Sequence, residues 1–132
     1  METCEAPTAN GRYSQTIESE GVIYLSMELP IDPKTGALAE TLADQARQLF
    51  HNCSNILKAA QSSLTCLLSA AIYLTDMNDW NRVNGLFANA FGNHKPARGM
   101  GCVPALRFGA KISIQMIAER KCQRSNRNCL KL

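Results

Sequence analysis

Nowhere in the 132 residues do about 18 apolar residues run together, so no membrane-spanning helix is expected. The opening stretch, METCEAPTANG, has no basic start leading into an apolar core. It therefore reads as lacking a signal peptide, and the expected location is the cytoplasm. Histidine is scarce: His51 and His94 stand alone, with no metal-ligand neighbour at a useful spacing. The six cysteines (Cys4, Cys53, Cys66, Cys102, Cys122 and Cys129) form no CxxC pair and match no zinc spacing. They read instead as small hydrophobes of a reducing compartment, mostly buried, so no metal is expected. A histidine pair and interleaved aromatic and basic residues are also missing, which argues against RNA cleavage and against nucleic acid as a partner. Acid is absent from one long interval. Between Asp79 and Glu119 there is none, yet Arg98 sits in its midst, within KPARGMGCV. A buried Arg98 would have no local partner for its charge.

What is present describes one ordinary globular domain. Apolar residues make up 45% and charged residues 19%, and a chain of this size buries roughly two-thirds of its unfolded surface. The net charge of +3 comes from the end of the chain. Residues 121–132, KCQRSNRNCLKL, hold Lys121, Arg124, Arg127 and Lys131 and no acid, and the rest is close to neutral. Residues 1–120 read as the domain and 121–132 as a basic, flexible tail.

Hydrophobic periodicity lays out the elements. GVIYLSM (Gly21 to Met27) reads as a strand, and the Pro and Gly of DPKTG as a tight turn. Leu42, Ala46, Leu49, Phe50, Cys53, Ile56, Leu57 and Ala60 fall on one face of a helix. Leu64 to Met77 reads as a buried strand. Thr75, Asp76, Asn78 and Asp79 supply caps for a second helix, Trp80 to Phe91, which Gly92 and Pro96 end. Two more strands follow, Arg98 to about Ala105 and Ala110 to Ala118. In the second, Ile112, Ile114 and Met116 alternate with Lys111, Ser113 and Gln115. The predicted class is α+β, an α/β sandwich with two helices on one face of a mixed sheet. The uncovered sheet face predicts a homo-oligomer.

Several stretches then align in order: APTANGRYSQ, GVIYLS with LPIDPKTGAL, QARQLFHNCSNILKAA, YLTDMNDWNRVN, and KPAR leading to AKISIQMIA. Together, over residues 6 to 119, they resemble the RidA/YjgF family, also called endoribonuclease L-PSP-like or enamine/imine deaminases. The resemblance implies a chorismate-mutase-like fold and a homotrimer with clefts between subunits. It implies hydrolysis of reactive enamine/imine intermediates, released by pyridoxal-phosphate enzymes, to a 2-keto acid and ammonia, with no cofactor. By matched position, Arg98 holds the substrate carboxylate with two parallel hydrogen bonds. Tyr13 and Ser26 contact ligand or water, Asn84 orders the cleft wall, and Ser113 occupies the water-holding position.

The departures from the family are specific. Arg12 stands where the family has the proline of GPYSQ. Ser26-Met27-Glu28 replaces SGQ, so Met27 fills space that glycine leaves open. Met100 stands in place of a cysteine whose backbone N–H meets the ligand. Ser113 replaces a glutamate, and Gln115 a second acid. A serine can hold a water but cannot act as a base near neutral pH. Two other expectations stand beside deamination. The same fold and cleft would serve a bulkier or more apolar substrate in a specialised biosynthetic pathway, or a trimeric ligand-binding protein without catalysis.

Overall fold

The computed structural model describes residues 2–9 and 11–120. The basic tail lies outside the described residues. Seven regular elements follow one another: β1 (Thr16–Ser19), β2 (Val22–Leu25), α1 (Leu42–Ala59), β3 (Leu67–Leu74), α2 (Trp80–Phe91), β4 (Ala97–Cys102) and β5 (Ile112–Glu119). The strands form one sheet in the order β1-β2-β5-β3-β4. β3 and β4 run parallel, joined by α2 as a crossover, and the other pairs are antiparallel. This is the expected α+β architecture with a mixed sheet.

Alternation places the core on one side of the sheet. Ile23 and Leu25 on β2, Ala70, Ile72 and Leu74 on β3, and Ile112, Ile114, Met116 and Ala118 on β5 are all buried. They meet the apolar face of α1, from Leu42 to Leu57. Between the helices, Phe50 meets Phe87 and Phe91 edge-on at 6.0 and 5.8 Å, and Phe87 stacks on Phe91 at 4.0 Å. Such offset and edge-on aromatic pairs hold α2 in a defined rotation. That rotation carries Asn84, one turn before Phe87, to the edge beside β4.

On the opposite face of the sheet no helix packs among the described residues. Ile17 pairs in register with Tyr24, and Tyr24 with Ile117, so these side chains form one apolar row across three strands. Ile17 and Tyr24 are among the exposed large hydrophobics.

Three features differ from the sequence expectation. β1 was missed. It pairs with β2 through a two-residue turn, Glu20-Gly21, and both residues have positive φ, 51° and 79°. That geometry suits a hairpin with the right-handed twist of its strands, but a glutamate in its first position hides the signal. The strand expected from Leu64 to Met77 is shorter. Single 3-10 turns at Leu64–Cys66 and Met77–Asp79 take its ends, the latter capped by Asp76 accepting from the Asn78 N–H. Finally, the cysteines are not uniformly buried and reduced. Cys53 is buried and free, Cys4 and Cys102 are exposed, and Cys66 is disulfide-bonded.

The start of α1 shows local chemistry directly. Thr41 sits at the N-cap in an extended conformation, and its Oγ1 accepts from the Asp44 N–H at 3.2 Å. Removing such an oxygen costs about 1 kcal/mol. Thr41→Ala should therefore lower unfolding free energy in urea by that amount, with an unchanged m-value. An unaltered midpoint would mean that the cap adds nothing.

Candidate functional site

Arg98 lies on β4, the edge strand, opposite Ala70 of β3. Met100 packs against the core, so the alternation of the strand turns Arg98 toward the helical side as well. There its Nη1 donates to Asn84 Oδ1 at 2.8 Å, and the guanidinium lies 5.2 Å from the Phe87 ring centroid. Among the described residues no carboxylate pairs with it; the two salt bridges are Arg47–Asp44 and Arg120–Glu18. A cavity of about 480 Å³ opens here, lined by Asn84, Phe87, His94, Lys95 and Arg98 among others. His94 is turned away from a ligating role, donating from Nε2 to the Leu67 carbonyl at 2.7 Å. The cavity thus carries cationic groups and no acid.

A second cavity, of about 530 Å³, holds two more of the expected residues. Tyr13 and Met27 line it, together with Glu28, Asp32, Arg107 and Phe108. Its walls are loops held by buried amides. Gln15 accepts from the Thr3 N–H and donates to the Thr3 and Pro7 carbonyls. Asn52 on α1 donates to the Leu29 and Ile31 carbonyls. Ser26 is taken up locally, donating to the Ser14 carbonyl at 2.6 Å, while its N–H donates to the Gln15 carbonyl. That pairing ties the Tyr13 segment to the end of β2. Met27 and Phe108, which both line this space, are 46% and 61% exposed. Phe108 has φ of 62°, and Arg107 lies over its ring at 4.6 Å.

The seven residues singled out in the sequence therefore do not meet in one cavity of a single chain. Asn84 and Arg98 line one; Tyr13 and Met27 line the other. Met100 is partly buried behind Arg98. Ser113 is fully buried on β5, opposite Tyr73 of β3, and lines neither cavity. Its Oγ is fully buried and has no hydrogen-bond partner among the described residues.

Sequence reasoning missed Glu28. Its side chain is 5% exposed, and burial pushes its pKa up to about 7. The same burial, with Glu28 nearby, raises the Cys53 thiol. The signal was available: an acid set between Met27 and Leu29-Pro30, where polar surroundings are absent. Arg107 and Phe108 were missed too, because a positive-φ phenylalanine leaves no periodic trace.

Residues 3–120 match the family described as Endoribonuclease L-PSP. The chain belongs to that family, the RidA/YjgF family. It is 38% identical over 120 residues to a RutC family protein of Pyrococcus horikoshii, covering 90% of this chain and 95% of the relative. It is 36% identical over 119 residues to the human 2-iminobutanoate/2-iminopropanoate deaminase, covering 89% and 87%. Among solved structures, TdcF of E. coli with bound serine superposes with a TM-score of 0.86 at 31% identity, covering 91% and 97%. The fold expected from the RidA resemblance is the fold found.

Proposed function

We propose that this RidA-family chain hydrolyses reactive enamine/imine intermediates to a 2-keto acid and ammonia, with Arg98 holding the substrate carboxylate. One observation carries the reading. Arg98 is oriented by Asn84 and by the Phe87 ring at a cavity mouth, yet it has no carboxylate partner among the described residues. A guanidinium held in place in this way suits a planar anion that can accept two parallel hydrogen bonds. The names of the mammalian relatives, 2-iminobutanoate/2-iminopropanoate deaminases, support the same substrate class.

The division into two cavities bears on assembly. The active unit is proposed to be a homotrimer in which the Tyr13–Met27 cavity of one copy faces the Arg98 cavity of the next. Burial of the apolar row Ile17, Tyr24 and Ile117 would drive such association. In the assembled cleft the carboxylate is fixed, so the imine carbon meets a positioned water rather than a random one. Water oxygen bonds to that carbon, the C=N bond becomes C–N, and the carbinolamine then expels ammonia as C=O forms. The proposed place of action is the cytoplasm. No helix among the described residues is long and apolar enough to cross a membrane.

Supplying the protein to a pyridoxal-phosphate enzyme that releases 2-iminopropanoate should raise ammonia release well above the buffer rate. Equal rates with and without the protein would end this proposal. Asn84→Ala should raise KM about fivefold with kcat nearly unchanged. It frees the guanidinium at a cost of about 1 kcal/mol, within the range for one hydrogen bond. A kcat-only effect would place Asn84 in the chemistry instead.

A second reading concerns which imine. Met27 and Phe108 give the larger cavity an apolar wall. That wall favours substrates bulkier than 2-iminopropanoate. A panel of imines of increasing side-chain size should show kcat/KM rising with size; a steady fall would exclude it.

A further inference from the structure

Hydrolysis of an imine needs a group that moves protons, and the strand expected to supply one is neutral at Ser113 and Gln115. We propose that Glu28 is that group, transferring protons between substrate nitrogen and oxygen inside the cavity lined by Tyr13 and Met27. The proposal rests on the imine-hydrolase reading above.

The placement of Glu28 is unusual in four respects. It is the buried acidic side chain among the described residues. Its backbone is fixed to β5 by two hydrogen bonds with Ile114, at 2.8 and 3.2 Å. Residues paired across antiparallel strands share a face, so Glu28 lies on the α1 side with Ile114, near Cys53. Its carboxyl makes no hydrogen bond or ion pair with any described residue, yet Glu28 lines a cavity of about 530 Å³. A carboxyl buried for structural reasons is normally satisfied by protein donors; this one is left for the cavity's contents.

The groups around it leave it free to titrate. Cys53 faces it from α1, and that thiol is itself held neutral by burial. Tyr13, Asp32 and Arg107 stand on the loops around the cavity. β5 offers only the apolar Ile112, Ile114, Met116 and Ala118 on that face. A carboxyl whose pKa lies near neutrality is suited to give and take protons in one cycle.

Each half of the reaction balances on this one group. In the first half, the acid form of Glu28 gives its proton to the imine nitrogen. Water oxygen bonds to carbon, and the carboxylate takes one of the water's protons, leaving a neutral carbinolamine and protonated Glu28. In the second half, Glu28 protonates the amine. The C–N bond breaks and its electron pair leaves with ammonia. The hydroxyl becomes C=O, and its proton returns to Glu28. No oxidant, metal or further reactant enters.

Two measurements test this together. The first is the pH profile of imine hydrolysis for the wild type and for Glu28→Gln, a near-isosteric change. We expect a limb near pH 7 in the wild type and about a hundredfold loss of kcat, without that limb, in the variant. A variant with wild-type kcat and profile would overturn the role of Glu28 while leaving the deaminase reading intact. The second is carboxyl infrared difference spectroscopy of the wild-type protein, with and without saturating 2-oxobutanoate. The protonated carboxyl band of Glu28 should persist to near neutral pH, and its midpoint should move upward when the keto acid's negative charge enters the cleft. If the wild type hydrolyses no imine, the deaminase reading fails. Glu28 is then judged on the band alone: an unmoved midpoint overturns its role.

Discussion

Arg98→Ala is expected to lower kcat/KM for imine hydrolysis by about a thousandfold while leaving the fold intact. Two charge-assisted hydrogen bonds to a carboxylate contribute roughly 1.5–3 kcal/mol each, and losing about 4 kcal/mol of transition-state binding is about a thousandfold. The structural role of Arg98 is small by comparison. It is exposed, donates to one side chain and lies over one ring, an arrangement that contributes about 1 kcal/mol or less at an exposed site. Arg98→Lys separates geometry from charge. The ammonium keeps the charge but not the fork, so most of the loss should remain. Steady-state ammonia release with thermal unfolding as a control decides this. An alanine variant with wild-type kcat/KM would remove Arg98 as the anchor.

Much of the scaffold behind Arg98 was legible because it repeats. The α1 face from Leu42 to Ala60 and the alternation from Ile112 to Met116 are periodic, and both elements lie where those periods put them. Arg98 was legible for another reason: an unpaired cation in a long acid-free interval is a local anomaly. The Asn84–Arg98 contact was not readable from spacing, because it depends on how α2 is rotated by the Phe50–Phe87–Phe91 cluster. Nor was the division of the expected residues into two cavities, which depends on how loops fold around Gln15 and Asn52. Glu28 was the hardest. Its sequence neighbours mark it as apolar in surroundings, but only the bridge to Ile114 places it on the α1 side of the sheet. Ser113 shows the converse: the sequence places it at the water-holding position, and its buried Oγ lacks a partner, yet it borders neither cavity in one chain.

Glu28 also makes stability depend on pH in a direction opposite to that of a salt-bridged acid. Burial raises its folded pKa from 4.5 to about 7, so the native state binds the proton more tightly than the unfolded chain. Below about pH 4.5 both states are protonated, and burial of the neutral carboxyl carries no ionisation cost. As pH rises from there, the unfolded chain ionises first and gains stability relative to the native state. The native protein loses stability across the window from pH 4.5 to about 7, after which both states are ionised and the loss is complete. Each pH unit of that window costs about 1.4 kcal/mol, so the full loss is on the order of 3 kcal/mol. Glu28→Gln removes the ionisation but keeps the shape. Urea unfolding at about pH 5 and pH 8 should therefore show the variant gaining on the wild type by about 2–3 kcal/mol at the higher pH. Other titrating groups act equally on both proteins and cancel in the difference. The same substitution thus stabilises the protein where it is expected to slow catalysis, as for a group held in an unfavourable setting for its chemistry. If the stability difference between the two proteins is the same at both pH values, Glu28 ionises as an ordinary surface carboxylate does, and the cavity imposes no cost on its charge.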